Sequence, residues 1–448
     1  MRKIFFFFAL FLLGCSKNGD GGPDDTGLDS SPVAHVPEIS GFALSPSTAS
    51  YMEGGGTSVV TAEISFRDSG RDVQTLWVWM PDGTLMQIGG LFATESGTIT
   101  ETFAMPTDQV GAFPVQIWLV DKAGDISLDS TAWYSVSDWT SRVNGLPYVL
   151  NDVIWDGVVF IAVGNGGTIV TSADGIDWTA SESGAEANLY AVAAYDSDIF
   201  AVGENILLQS TDHGETWVAK DTPVAASLSA VAINPSQVVV SGTSDSYERI
   251  ILISQDRGDT WQFVNLWLDQ DVGWFTDIAY RDGLYIAAAD TLFFSNHGWA
   301  LASSDGAVWN TMFRNQDSGF RTVVDDGSRF TIAGSKGAVV TSIDGLNWSE
   351  IQTPITGVDY LSGAWNGTKL VLAGDYTCIL LPMPGCDFSP SESGLPRGIS
   401  STDGGMTWDL FNIDGEFRSL GMASGNGRFV AVGESGQGSG EGAIYTAD

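Results

Sequence analysis

Two aspartates stand where a pair of carboxylates could carry out acid and base chemistry. Asp152 and Asp277 occupy the same point of a recurring segment, each at the start of a short apolar strand pattern. Glycoside hydrolysis requires two opposed carboxyl groups roughly 5 to 10 Å apart. The same side chains could instead accept hydrogen bonds from backbone amides where their strands begin, and we favour that structural role. A hydrolase is therefore the alternative function for this pair.

A short turn motif recurs along the C-terminal two-thirds of the chain and must position these aspartates. It reads S-T-D-G-G-M-T-W at Ser401–Trp408, and five earlier copies begin at a serine, with successive starts 38, 44, 49, 39 and 59 residues apart. We call each copy a repeat turn. The aspartates and tryptophans of the six copies are Asp174 and Trp178, Asp212 and Trp217, Asp256 and Trp261, Asp305 and Trp309, Asp344 and Trp348, and Asp403 and Trp408.

The chemistry of a repeat turn indicates a structural role. The aspartate can accept hydrogen bonds from backbone amides of its own turn, a glycine can adopt positive φ, and the tryptophan can pack beneath the loop. A spacing of about 40 to 50 residues is typical of the four-stranded blades of a β-propeller. Abundant glycine, at 54 residues, fits an all-β chain with many tight turns.

The repeat turns resemble the Asp-box, or BNR repeat, of sialidases, other glycoside hydrolases, sortilin-type receptors and the photosystem II assembly factor. The resemblance extends over residues 151–448 and implies an all-β fold, a seven-bladed β-propeller. In those families the box stabilises the periphery of the fold and lies far from the binding face. It therefore implies an architecture and leaves the function open.

A seventh repeat turn is divided between two distant segments. Its first half begins as Tyr445-Thr446-Ala447-Asp448, and Asp138-Trp139-Thr140 matches the end of the first copy, Asp177-Trp178-Thr179. We therefore predict that residues 138–448 form the propeller and that residues 138–144 supply the outermost strand of its last blade. Such closure removes exposed strand edges.

The sialidase resemblance also implies arginines that grip a carboxylate and a tyrosine paired with an acidic residue. Arg321 and Arg418 occupy the matching position at the start of an inner strand, and Tyr190 shares that register. However, no glutamate pairs with Tyr190, and the Arg-Ile-Pro signature of sialidases is absent. The sequence therefore favours binding over catalysis.

Loop lengths indicate where a ligand would bind. The connections between second and third strands are expanded at residues 242–249, 290–300, 375–397 and 433–441, and antiparallel geometry brings them to one face. Long loops often carry function, although drift of loops without a function is the alternative. We expect a protein or glycan to contact the rim residues Trp274, Trp299 and Tyr376 and the central residues Arg321 and Arg418.

Cys378 and Cys386 both lie in the longest of these loops. Apart from Cys15 they are the only cysteines in the sequence, and an oxidising compartment favours a disulfide between them. The three histidines, at His35, His213 and His297, are scattered, so we predict no metal and no cofactor.

The N-terminus predicts export and a lipid anchor. Residues 1–15 combine basic residues with an apolar run too short to span a membrane. They end in Leu12-Leu13-Gly14-Cys15, which resembles a bacterial lipobox and implies acylation of Cys15. An ordinary secretory signal is the alternative. Residues 16–36 are predicted to be a disordered acidic tether, and because Ser16 replaces the usual retention aspartate, we expect the outer membrane.

Residues 37–137 contain alternating patterns typical of strands, at 58–66, 73–80, 98–104 and 113–120. The segment beginning at Phe113 resembles the last hairpin of bacterial Ig-like domains, which implies an Ig-like β-sandwich. Trp77, Trp79 and Trp118 are predicted to lie in its core.

The charge of the chain limits its partners. A formal net charge of −36 disfavours nucleic acid and anionic lipid, so we expect membrane contact through the anchor alone, and a monomer. The favoured function is an envelope lipoprotein that binds a protein or glycan. The alternatives are a glycoside hydrolase and an assembly factor similar to the photosystem II propeller.

Overall fold

The computed structural model describes residues 36–51, 56–246, 248–265, 272–291, 297–376, 396–413, 417–436 and 438–448. Positions 91, 92, 265 and 376 are described by their backbone alone. These residues form 36 β-strands and two short 3-10 turns, Asn165–Gly167 and Ser335–Gly337. Within the described ranges, no helix has the length and apolar character needed to cross a bilayer.

Two sheets form an N-terminal β-sandwich. The first sheet has the order β1-β3-β6, with β1 Glu38–Ser45, β3 Thr57–Arg67 and β6 Ser96–Pro106. The second has the order β2-β8-β7-β4-β5. Its strands are β2 Thr48–Ser50, β4 Val73–Trp79, β5 Leu85–Phe92, β7 Gly111–Asp121 and β8 Ser130–Ser137. Apolar residues from both sheets pack into one core between them.

The three tryptophans predicted to lie in the sandwich core do not lie there. Leu76 and Val78 of β4 fill the core, and since side chains alternate along a strand, Trp77 and Trp79 project from the opposite face of the sheet. Trp118 of β7 does the same between buried neighbours. Trp79 is 49% exposed. The prediction was wrong because both alternating sets of residues in these strands are large and apolar.

Seven four-stranded antiparallel sheets follow in the described part of the chain. The first three comprise β10 Leu150–Trp155, β11 Phe160–Gly164, β12 Ile169–Ser172 and β13 Thr179–Ser181; β14 Leu189–Tyr195, β15 Asp198–Gly203, β16 Ile206–Ser210 and β17 Val218–Ala219; and β18 Ala226–Ile233, β19 Val238–Ser244, β20 Arg249–Ser254 and β21 Gln262–Asn265.

The fourth to sixth sheets repeat this order. They comprise β22 Trp274–Arg281, β23 Leu284–Asp290, β24 Gly298–Ser303 and β25 Asn310–Asn315; β26 Phe320–Asp325, β27 Phe330–Gly334, β28 Val339–Ser342 and β29 Ser349–Ile351; and β30 Val358–Trp365, β31 Leu370–Tyr376, β32 Gly398–Ser401 and β33 Asp409–Phe411.

The seventh sheet combines strands from both ends of this region. Its order is β34-β35-β36-β9, with β34 Arg418–Gly425, β35 Arg428–Glu434, β36 Gly442–Ala447 and β9 Thr140–Leu146. Thr446 pairs with Thr140 in the ladder between β36 and β9. The ring of Trp139 packs against Phe411 and Phe429, with centroids 6.1 and 6.4 Å apart.

The first strands of the seven sheets surround a common axis. Each contacts the first strand of the next sheet, and β34 contacts β10. Apolar residues on the faces of adjoining sheets pack together, as between β10–β11 and β34–β36. The architecture is a β-propeller, and its inner strands form the walls of a central cavity.

Candidate functional site

The cavity at the propeller axis has a volume of about 400 Å³. Residues of the first strand of every four-stranded sheet line it, among them Asp152, Tyr190, Asp277 and Arg321. The first strands thus bring together four candidates that are up to 169 residues apart in the sequence. This is a concave site in which polar side chains converge, the usual setting of a binding site.

A bulge in each inner strand directs side chains into the cavity. In all seven sheets the pairing of the first strand with the second shifts by one residue near its start. The residues at the shift are Asn151, Tyr190, Ser229, Thr276, Arg321, Leu361 and Leu420, and all of them line the cavity. A bulge reorients a side chain and leaves backbone groups without ladder partners.

Neighbouring sheets satisfy those backbone groups. Asn151 Nδ2 donates a 2.7 Å hydrogen bond to the carbonyl of Leu189. Ser229 Oγ donates to the carbonyl of Phe275 at 2.8 Å. Polar side chains at the bulges therefore join adjacent sheets around the axis, and some of the polar groups in the cavity wall are structural.

Asp152 is held by two backbone amides. Its Oδ1 accepts a hydrogen bond from the Val153 N–H at 2.8 Å, and its Oδ2 accepts one from the Val192 N–H of the second sheet at 2.9 Å. The pKa of Asp152 is raised to about 7, chiefly by desolvation; the charge of Asp277 also raises it, and the hydrogen bonds from Val192 and Val153 lower it.

Asp277, in the first strand of the fourth sheet, has the same environment as Asp152 in the first strand of the first sheet. Its Oδ1 accepts from the Ile278 N–H at 2.8 Å, and its Oδ2 accepts from the Val323 N–H of the fifth sheet at 2.7 Å. Desolvation raises its pKa to about 6, although these two hydrogen bonds lower it. A carboxyl with a pKa near neutrality can exchange protons with a substrate, but both oxygens of each aspartate already accept backbone hydrogen bonds.

Arg321 at the cavity wall forms an ion pair with a buried carboxylate. Its Nη2 lies 2.8 Å from Oδ2 of Asp290, and Asp290 is 2% exposed at the end of β23. Asp290 is not predicted as a site residue from the sequence. Asp290 is an acidic residue at the end of the second strand of the fourth sheet, and Arg321 lies at the start of the first strand of the fifth sheet. That combination is the signal that could have identified Asp290.

A second group of charges involves Arg418. Its Nε lies 3.8 Å from Asp375 and its Nη1 lies 4.0 Å from Glu434. Arg397 approaches the same Asp375 carboxylate at 3.4 Å. Arg418 does not line the cavity itself, and its two acidic partners again come from the ends of second strands, β31 and β35.

The predicted rim aromatics occupy different environments. Trp299 is 2% exposed. The guanidinium of Arg314 lies over its ring, 5.4 Å from the centroid, so the Trp299 side chain is buried beneath the surface and does not form part of an exposed rim. Trp274 is half-buried at the start of β22. The side chain of Tyr376 lies outside the described residues, as do Cys15, Cys378 and Cys386.

The repeat turns lie at the other end of the sheets, because they join third and fourth strands. In the first copy, Asp174 Oδ1 accepts hydrogen bonds from the N–H groups of Ile176 and Asp177. These bonds lower its pKa. Trp178 Nε1 donates to the carbonyl of Gly175 at 3.0 Å. The other five copies repeat the aspartate contacts, and hydrogen bonding, chiefly from a threonine side chain, lowers the pKa of Asp212, Asp256 and Asp403 to about 2.

Each repeat turn also contacts the preceding sheet. Arg428 of the seventh sheet donates to the carbonyl of Asp174 at 2.7 Å, and Gln237 of the third sheet donates to the carbonyl of Asp305 at 2.9 Å. Asp448, at the divided seventh copy, accepts a 2.6 Å hydrogen bond from Arg428. It also lines a cavity of about 200 Å³ together with Trp139.

Metal ligands do not cluster in the part of the chain that the structure describes. No group of three or more histidine, cysteine, aspartate or glutamate side chains there is arranged to hold a metal ion. Asp152 and Asp277 face the cavity without a histidine beside them.

Comparisons with known proteins agree with the propeller fold. The family model of the DUF6242 beta propeller domain matches residues 113–281. YCF48 bound to D1 peptide is 17% identical, with a TM-score of 0.50 over 70% of this chain and 96% of that chain. YCF48 from Cyanidioschyzon merolae is 15% identical, with a TM-score of 0.49 over 69% and 98% of the two chains.

A third solved structure is similar over a longer part of this chain. It is a structural genomics protein of unknown function from Bacteroides thetaiotaomicron, 10% identical, with a TM-score of 0.42 over 93% of this chain and 98% of that chain. No curated protein matches the sequence. Together the family model and the first of these structures support a β-propeller.

Proposed function

We propose that this chain is an exported, lipid-anchored envelope protein that binds a protein or glycan at the cavity of its propeller. The observation that carries the proposal is the cavity of about 400 Å³ lined by the first strand of every four-stranded sheet. Asn151, Tyr190 and Arg321 place amide, phenol and guanidinium groups along its wall, and a few convergent polar groups in a concave site are typical of ligand recognition.

The proposal includes the organisation of the rest of the chain. Residues 1–15 form the signal peptide, Cys15 carries the lipid at the outer membrane, and residues 16–36 are an acidic tether. An Ig-like sandwich at 37–137 separates the anchor from a seven-bladed Asp-box propeller at 138–448. A disulfide between Cys378 and Cys386 stiffens the longest loop, and the protein acts as a monomer without nucleic acid.

Arg321 and Arg418 are already paired with acidic residues, but each retains a donor for an acidic group of a ligand. Arg321 Nε and Arg418 Nε are buried and have no hydrogen-bond partner among the described residues. Buried donors are normally satisfied, and a carboxylate can accept from a guanidinium. A propeller of similar fold, YCF48, has been solved bound to a D1 peptide, so we propose a peptide segment as one occupant, which includes the role of an assembly factor.

A photo-crosslinking experiment tests this proposal. A photoreactive amino acid replaces Tyr190 in the cavity wall, and a matched control replaces Ile343, which is 72% exposed in a repeat turn. We expect crosslinked products with envelope components from position 190 alone, and their loss when Arg321 is changed to Glu. Equal products from both positions would contradict a site at the cavity.

A glycoside hydrolase is the second candidate, and the raised pKa of Asp152 and Asp277 favours it. The backbone hydrogen bonds to all four carboxylate oxygens disfavour it, since a catalytic carboxyl must reach the substrate. A panel of chromogenic glycosides that includes a sialoside distinguishes the two. Turnover that disappears in Asp277→Asn would establish the hydrolase, and we expect no turnover.

A further inference from the structure

The outer face of the five-stranded sandwich sheet carries four tryptophans. Trp77 and Trp79 lie on β4, Trp118 on β7 and Trp133 on β8. Trp79 is 49% exposed, and the other three are half-buried. Because alternate residues of these strands fill the sandwich core, the tryptophans lie on its solvent side. Large apolar side chains grouped on a surface mark a site of interaction.

Strand register aligns two of these rings across the sheet. Trp77 of β4 pairs with Trp118 of β7, and the rings are stacked with centroids 6.2 Å apart and planes within 10°. On its other side Trp77 pairs with Gln87 of β5, which is exposed. One row across three strands therefore presents an amide beside two parallel indoles.

The adjacent row has a polar group at its centre. Trp79 pairs with Gln116, and Gln116 pairs with Thr131, whose Oγ1 lies 3.5 Å from Gln116 Nε2. Gln116 also lies two residues before Trp118 on the same face of β7. A carboxamide among aromatic rings can both donate and accept hydrogen bonds, which suits a ligand rich in hydroxyl groups.

These rows are neutral in a strongly acidic chain. The paired residues of both rows are tryptophan, glutamine, leucine and threonine, whereas the whole chain has a formal net charge of −36. Acidic residues occur only beyond the rows, as at Asp82 and Asp129. The paired residues of both rows therefore carry no charge, and their chemistry matches an uncharged polar ligand.

We propose that this face binds a neutral polysaccharide chain. The apolar faces of the sugar rings stack on Trp79 and pack against the pair formed by Trp77 and Trp118, and the sugar hydroxyls exchange hydrogen bonds with Gln87 and Gln116. A protein partner fits less well, because protein interfaces are most apolar at their core and here an amide occupies the centre. This site is separate from the propeller cavity, so it does not depend on the function proposed above.

Affinity gel electrophoresis of the whole chain tests the proposal. The gels contain glucomannan, xyloglucan or pullulan as neutral probes and polygalacturonate as an anionic probe. We expect at least one neutral polysaccharide to retard the protein. Trp79→Ala and Gln116→Ala should each weaken that binding about tenfold, a loss near 1.4 kcal/mol. The matched control is Val59→Ala on the other sheet, where Val59 is 67% exposed, and it should bind as the parent does.

Several results would overturn the proposal. Migration unchanged by all three neutral polysaccharides is one. Retardation that persists in Trp79→Ala and in a Trp77→Ala, Trp118→Ala double variant is another, provided that circular dichroism shows both to be folded. Equal retardation by polygalacturonate, or a dimer in light scattering that Trp79→Ala converts to a monomer, would show instead a charged ligand or a protein interface.

Discussion

The serine that begins each repeat turn organises the turn through a single hydroxyl. Ser401 is 2% exposed. Its Oγ accepts a hydrogen bond from the Gly405 N–H at 2.8 Å and donates one to Asp403 Oδ1 at 2.8 Å. Asp403 in turn accepts from the N–H groups of Met406 and Thr407. Loss of the serine hydroxyl therefore leaves a buried amide unsatisfied and releases the aspartate.

We predict that Ser401→Ala lowers the free energy of unfolding by about 1 to 3 kcal/mol, the usual cost of an unsatisfied buried polar group. Chemical denaturation measures this change. Thr402→Ala is the control, because Thr402 is the exposed neighbour, and it should change stability little. Equal effects of the two substitutions would contradict the role assigned to the serine hydroxyl.

The cavity aspartates and the repeat-turn aspartates respond to pH in opposite senses. The pKa values of Asp152 and Asp277 are raised to about 7 and about 6 from 3.8. Their contribution to stability is therefore complete below about pH 4 and is lost as pH rises through those values. The lowered pKa of Asp403, about 2, means that its contribution is present above pH 4 and is lost as the pH falls toward 2.

We predict that the free energy of unfolding falls between about pH 4 and pH 7 and that Asp152→Asn makes this fall shallower. The substitution also lowers stability below pH 4, because its amide group faces one of the two backbone N–H donors. The slope with pH, from denaturation at several pH values, separates the two effects. Asp245→Asn, at an exposed loop position, should retain the slope of the parent, and an unchanged slope in Asp152→Asn would contradict the raised pKa.

At the scale of the elements, repeat turns fasten each sheet to the one before it. His213 of the second copy lies 2.7 Å from Asp156 in the first sheet, and Arg281 of the fourth sheet donates to the carbonyl of Ile343 in the fifth copy. The glycines contribute by close packing. A Cβ on Gly306 would lie 2.6 Å from Val239 Cγ2 of the preceding sheet.

We predict that Gly306→Ala is more destabilising than Gly327→Ala. Both glycines have positive φ, 73° and 82°, so each substitution carries the backbone cost of about 1 kcal/mol or more. Nothing lies within 4 Å of a Cβ on Gly327, whereas Gly306→Ala must also separate two packed sheets. Thermal melting compares the variants, and similar melting temperatures would show that the contact between sheets contributes nothing.

The sequence predicts the repeated elements better than it predicts their contacts. Repeat turns are visible because aspartate, glycine and tryptophan recur together, with the tryptophan four or five residues after the aspartate. The bulges are not, because a register shift of one residue has no composition of its own: Asn151, Tyr190 and Leu361 share no chemistry. Asp290, the ion-pair partner of Arg321, is 31 residues away in the sequence, so no local pattern connects the two. For β4, an alternating pattern in which both sets contain large apolar residues does not show which set faces the sandwich core.

At the scale of the whole molecule, the propeller is a ring closed by its seventh sheet. That sheet combines β34, β35 and β36 from the C-terminal end of the propeller region with β9 from its N-terminal end. Ile444 of β36 pairs with Val143 of β9, and Arg142 donates to Thr446 Oγ1 at 2.7 Å. At the end of the sandwich, Ser137 Oγ of β8 donates at 3.2 Å to the carbonyl of Ile413, which follows β33 of the sixth sheet. Without β9, strand β36 would become an exposed edge.

We predict that replacing residues 140–146 with a Gly-Ser segment of equal length lowers the melting temperature more than the same kind of replacement of β25, Asn310–Asn315, an outer strand of similar length supplied by its own sheet. Both changes remove one ladder, but loss of β9 also releases the only strand that joins the two ends of the ring in the described chain. Because the seventh and first sheets could then separate, unfolding should also become less cooperative, and calorimetry measures both quantities. A variant lacking β9 that melts as the β25 variant does, in one sharp transition, would show that packing between β34 and β10 closes the ring without that strand.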